Sequence, residues 1–132
     1  MPSLRRAPLA ATLLAALLAC GEDAEGGPLM RPGEDCLGCH GNFTLAGTVY
    51  AAATAAADQG VAGIDVAVVP SSGPSFALTS NAAGNFYTTR TDFAFPVTVS
   101  VTDGLTTLAM PMAADGGGCN GCHGAGSRIF LP

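Results

Sequence analysis

A five-residue pattern occurs twice in this chain and limits the possible folds more than any other feature. Cys36-Leu37-Gly38-Cys39-His40 is the first copy and Cys119-Asn120-Gly121-Cys122-His123 the second. Both read C-x-x-C-H. One helical turn places positions i, i+3 and i+4 on the same face. Each copy can therefore present two thiols and an imidazole to one flat partner. The two copies use both histidines of the chain and four of its five cysteines. Any fold must carry one such turn on either side of the segment between them.

C-x-x-C-H is the attachment pattern of a c-type haem. The two thiols add to the two vinyl groups on one edge of the porphyrin, and the following histidine turns under the iron as its proximal axial ligand. The expected cofactors are two covalent haems c. Cys36, Cys39, Cys119 and Cys122 would hold the porphyrins, and His40 and His123 the irons. Two other chemistries use C-x-x-C pairs: a pair of disulfides, or one zinc held by four thiolates. Neither needs a histidine directly after each second cysteine. A redox C-x-x-C belongs to a thioredoxin-like α/β pattern, and that pattern is absent here.

The fifth cysteine closes the N-terminal segment. Arg5 and Arg6 form a short basic region, Ala7 to Ala19 an apolar run too short to span a bilayer as a mature helix, and Cys20 follows at once. Leu17-Leu18-Ala19-Cys20 resembles the lipobox of bacterial lipoproteins. The resemblance implies a signal peptide over 1–19, cleavage before Cys20 and a diacylglycerol on its sulfur. Residues 20–35, rich in glycine, proline and acids, read as a tether for such an anchor. Pro32 and Gly33 then turn the chain into the first motif, and Asp35 is placed to cap its helical turn.

After cleavage the chain would keep Arg31, Arg90 and Arg128 against ten carboxylates, a net of +3 − 10 = −7, with no lysine. That balance argues against nucleic acid and against an anionic membrane patch as partner. With 132 residues, no tryptophan and much alanine and glycine, the chain makes one small domain with a thin core. Two porphyrins would add apolar surface for it to pack against.

Residues 42–110 read as β structure. Phe43, Leu45, Gly47 and Val49 alternate with Thr44, Ala46, Thr48 and Tyr50. Ile64, Val66 and Val68 alternate with Asp65, Ala67 and Val69, and Val97, Val99 and Val101 with Thr98, Ser100 and Thr102. Ser71-Ser72-Gly73-Pro74, Asn81-Ala82-Ala83-Gly84 and Asp103-Gly104 punctuate the runs as turns. Six strands are predicted, at about 43–50, 61–69, 75–80, 85–90, 95–102 and 105–110. Ala51 to Ala57 is read as a loop. The fold class is mainly β: a small sandwich flanked by two short motif segments, 36–41 and 111–132. An even number of antiparallel strands brings both chain ends to one pole, which predicts that the two motifs lie together.

This middle part also resembles a known module. Gly47-Thr48-Val49-Tyr50, Gly60-Val61-Ala62-Gly63-Ile64-Asp65-Val66 and Thr79-Ser80-Asn81-Ala82-Ala83-Gly84-Asn85-Phe86 are similar to the carboxypeptidase regulatory-like, or transthyretin-like, Ig-like β-sandwich. The resemblance implies a scaffold or adhesion module without catalysis. Its Asn-Ala-Ala-Gly turn should reverse tightly into Phe86 at a core position.

Each iron has a second axial position. No further histidine or lysine exists, and cleavage removes Met1, which leaves Met30, Met110 and Met112. Met30 precedes Cys36 by six residues and Met112 precedes Cys119 by seven. The two ends thus form a weak repeat, and Met30 and Met112 are the expected thioether ligands. Met110 ends an apolar strand and reads as packing. Gly116-Gly117-Gly118 leads into the second motif, and Ile129-Phe130-Leu131 forms an apolar plug able to cover a haem face.

Taken together, the chain resembles a small dihaem c-type cytochrome lipoprotein. That implies electron transfer without catalysis, anchored in the cell envelope, at the outer membrane since Gly21 rather than an aspartate follows Cys20. The implied partners are other redox proteins, the membrane through its lipid, and a second copy or a stack of cytochromes leading toward extracellular acceptors. Two alternatives stand beside it. A dihaem peroxidase-like or gas-reactive protein would need an open iron and a distal acid or base, for which Glu34 and Asp115 are the nearest carboxylates. A haem-free adhesion sandwich would use its C-x-x-C pairs as disulfides.

Overall fold

The computed structural model describes residues 31–132. The signal peptide, Cys20, Met30 and most of the expected tether lie outside the described residues. Strands β1 (Leu45–Tyr50), β2 (Asp65–Ser72), β3 (Phe76–Thr79), β4 (Asn85–Thr88), β5 (Ala94–Thr102), β6 (Thr107–Ala109) and β7 (Ile129–Phe130) form two sheets, and a short helix α1 (Cys119–Cys122) precedes β7. One sheet has the order β4-β1-β7 and the other β3-β2-β5-β6. All pairings are antiparallel except β1 with β7, which is parallel.

Six strands separate the two motifs, as the alternation predicts, and their boundaries shift by a few residues. β2 begins at Asp65 rather than 61 and runs on to Ser72. The reason lies in its partner: Ser72 is in register with Ala94 of β5, past an irregularity after Pro70, and the Ser71 hydroxyl donates to the carbonyls of Ala94 and Phe95. The turn is left to Gly73, whose φ of +96° suits glycine. Phe43, expected inside the first strand, precedes β1.

The core follows the period-2 pattern. Leu45, Val49, Ile64, Val66, Val68, Phe86, Val97, Val99 and Val101 are buried together with Leu131. Phe86 enters through the Asn81–Gly84 turn. There the Asn81 carboxamide oxygen accepts from the backbone N–H groups of Ala83 and Asn85, and Gly84 has φ +83°.

β1 departs from the alternation. All six of its residues are buried. One face lies on the core. The other, expected to face solvent, carries Thr48 and Tyr50 and is covered by the two motif segments. Ala46 pairs with Gly118 in a parallel bridge, and its N–H donates to the Gly117 carbonyl at 2.9 Å. Gly33 donates its N–H to the Thr48 hydroxyl, so the last residues of the expected tether are held against the fold. The C-terminal plug joins the β4-β1-β7 sheet as β7, and Leu131 enters the core.

Candidate haem-attachment site

Both motifs adopt the helical turn that their spacing requires. Cys36–Gly38 is a 3-10 turn capped by Asp35, whose carboxylate accepts from the Leu37 N–H at 3.2 Å. The His40 N–H donates to the Cys36 carbonyl at 2.9 Å. In the second motif the His123 N–H donates to the Cys119 carbonyl, also at 2.9 Å. Each histidine therefore sits one turn beyond the first cysteine of its own motif.

The two turns lie side by side on the outer face of β1. Asn120, the first variable residue of the second motif, joins them. It is buried, and its carboxamide nitrogen donates to the Glu34 carbonyl at 2.8 Å and to the Thr48 hydroxyl at 3.0 Å. Its oxygen accepts from the Thr48 N–H at 3.1 Å. Thr48 in turn donates its hydroxyl to the Asn85 side chain at 2.8 Å. One carboxamide thus ties the residue two before Cys36, the middle of β1 and the second motif into a single unit. A Cβ on Gly118 would stand 3.4 Å from the Asp35 carboxylate, which shows how closely the two segments approach.

Cys36, Cys119 and Cys122 are free thiols and Cys39 is disulfide-bonded. Neither motif therefore closes on itself, and the Cys39 sulfur must be reduced before it can form a thioether. Cys119 packs beneath Gly47 and Phe86, where a Cβ on Gly47 would lie 2.8 Å from the Cys119 Cβ. Burial pushes the Cys119 thiol up to about 11, and the neighbouring Cys36 and Cys122 add to the rise. Burial also raises Cys36, with smaller pushes from Asp35 and Glu34. The fold thus favours the neutral Cys119 thiol over its thiolate. This contribution to stability is complete below the ordinary value of 9.0 and is lost as pH climbs through about 11. In the haem-free chain, alkylation of Cys119 followed by mass spectrometry should therefore rise with pH toward about 11, rather than levelling off near 9.

The two imidazoles are held differently. His123 Nδ1 lies 2.9 Å from the Ser127 carbonyl. A proton on Nδ1 would be donated there, which leaves the Nε2 lone pair for a metal. His40 stacks on Phe43 at 4.5 Å, and Phe43 stacks on Tyr87 at 4.6 Å. Stacking uses the ring face and leaves the in-plane nitrogen lone pair unblocked.

The methionines are placed unevenly. The chain after β6 stays on β5: Met110 donates its N–H to the Val99 carbonyl, and Ala114 and Val97 exchange both backbone bonds. Pro111 to Ala113 arch away between these anchors, and Met112, on the arch, is 74% exposed. Met110 lines a cavity of about 360 Å³ together with His123. The two carboxylates considered for a distal role are exposed, and Glu34 is paired with Arg31 at 3.6 Å. Among the described residues, no three His, Cys, Asp or Glu side chains converge to hold a metal ion, so a four-thiolate zinc centre has no cluster there. Nor is any helix among them long and apolar enough to cross a membrane.

Sequence reasoning missed Asn120, Thr48 and Arg128. Asn120 occupies a variable position of its motif and Thr48 alternates like any exposed strand residue. The single signal for Arg128 is that it is one of only three cations after Cys20. Comparison of the chain with known protein families, with curated proteins and with solved structures finds no match.

Proposed function

We propose that this protein is a dihaem cytochrome c that passes electrons and transforms no substrate. The observation that supports this reading best is the joining of two C-x-x-C-H turns on one face of β1 through Asn120. A sandwich strand used as a shared platform for both motifs suits a pair of neighbouring redox centres better than two unrelated surface loops. Each haem, when bound, supplies an iron that cycles between ferric and ferrous states.

The chain's own groups do the rest. Each cysteine thiol adds across a porphyrin vinyl group: a C–S bond forms, the vinyl double bond becomes single, and the thiol proton goes to its second carbon. His40 and His123 provide the proximal nitrogens, and the Ser127 carbonyl fixes the tautomer of His123. The residues present fit the group. The donor set is two thiols and an imidazole per motif, and the cavity beside His123 has an almost wholly apolar lining.

The middle of the chain belongs in this reading to the transthyretin-like class of Ig-like sandwich and serves as scaffold. A lipid on Cys20 would hold it at the outer membrane, where its partners are other redox proteins. A haem-stained denaturing gel tests the assignment. The holoprotein should retain colour, the C36S/C39S and C119S/C122S variants about half each, and the four-fold variant none. Equal colour in all four samples would refute covalent attachment at these motifs.

A further inference from the structure

Beside His123 the two sheets do not close. A cavity of about 360 Å³ lies between the end of β5, the β6 edge and the chain leaving the second motif. That volume falls in the range of small-ligand sites, roughly 300–1,000 Å³. Val99, Val101, Leu108, Ile129 and Phe130 supply its apolar walls. Three residues of different chemistry also line it: His123, Met110 and Arg128.

Arg128 is the anomaly. It is only 8% exposed. Its guanidinium lies over the Tyr50 ring, 4.7 Å from the centroid, and its Nε has no hydrogen-bond partner. Among the described residues no carboxylate is paired with it. A buried cation with an unsatisfied donor is costly unless an anion completes it. A planar guanidinium is suited to receive a carboxylate. The cavity thus combines an imidazole with Nε2 free, a thioether, a cation awaiting an anion, and apolar walls.

We propose that this cavity seats the haem carried by Cys119 and Cys122, with Met110 as the second axial ligand opposite His123 and Arg128 as the partner of a haem propionate. The inference rests on the dihaem reading and sharpens it by moving the ligand role from Met112 to Met110. Met112 sits on an arch facing solvent, whereas Met110 shares the cavity wall with the proximal histidine. Arg128 then has a reason to be buried: its positive charge offsets a propionate and favours the reduced iron.

The test uses the holoprotein from a host that attaches haem c. Haem content is measured first, then the near-infrared methionine–iron band of the oxidised form, then the two midpoint potentials. Met110→Ala should keep two haems and lose half or more of the band, while Met112→Ala keeps it in full. If Met110→Ala does not fold, Met110→His replaces it, with the same loss of band and a lower potential for one haem. Arg128→Met should lower the potential of one haem in the holoprotein, yet leave the haem-free chain as stable as before or more so. Two haems with an unchanged band in the Met110 variants, or a band lost in Met112→Ala, overturns the ligand assignment. So does a two-haem wild type without the band. Unchanged potentials in Arg128→Met overturn the propionate contact. A haem content other than two defeats the dihaem reading, and this inference with it.

Discussion

Asn120→Ala should lower the stability of the fold by about 2–4 kcal/mol, read as a shift of the urea midpoint in the haem-free chain. The substitution deletes three hydrogen bonds at once: to the Glu34 carbonyl, the Thr48 hydroxyl and the Thr48 N–H. Asn120 and Thr48 are both buried. The alanine methyl cannot replace the carboxamide, and the Thr48 N–H is left without its acceptor. An unsatisfied buried donor costs about 1–3 kcal/mol by itself. The effect reaches beyond stability, because Asn120 links residue 34 to the second motif. In the holoprotein the variant should loosen the two haems from each other, seen as a loss of coupling between their reduction steps. Asn120→Asp should fall between, since it keeps the acceptor for Thr48 and loses the donor to Glu34. A wild-type urea midpoint for Asn120→Ala would remove this side chain from the account.

Gly117→Ala should be at least as damaging. A Cβ there would overlap the Thr44 carbonyl and crowd the Leu45 Cα at 2.8 Å. Both are backbone atoms at the start of β1, so no side chain can swing aside. Overpacking in a tight site typically costs about 1–3 kcal/mol, and rigid neighbours put this case at the upper end or beyond. The strand and the lead into the second motif are also bonded there, Ala46 N–H to Gly117 carbonyl at 2.9 Å. Displacing Gly117 therefore breaks the contact that seats α1. Gly116→Ala is the control. Its Cβ would meet nothing within 4 Å, and the variant should melt like wild type. Haem retention at the second motif should fall in Gly117→Ala and hold in Gly116→Ala.

Much of this architecture was legible in the alternation. Val97, Val99 and Val101 are buried and Thr98 is exposed, as period 2 requires. The Asn81–Gly84 and Asp103–Gly104 turns form where their residues demand. The Asp103 carboxylate accepts from the N–H groups of Leu105 and Thr106, and these bonds hold its carboxyl below the usual range. β1 was less legible for a physical reason. Thr48 and Tyr50 look like the wet side of a strand, but the motif segments cover them, and Thr48 spends its polar groups on Asn120, Asn85 and Gly33. Alternation reports polarity; it cannot tell water from a carboxamide as the partner. The parallel strand β7 was also invisible, since two residues carry no period. Spacing alone ranked Met112 above Met110, because it counts residues along the chain. The arch between the two anchors on β5 then turns Met112 outward.

The most direct measurement is the intact mass of the protein purified from a host that matures c-type cytochromes. The account predicts the polypeptide plus two haems, with the added mass retained after denaturation and recovered on the peptides holding Cys36–His40 and Cys119–His123. A colourless product at the mass of the bare chain, with its motif cysteines as thiols or disulfides, would contradict it.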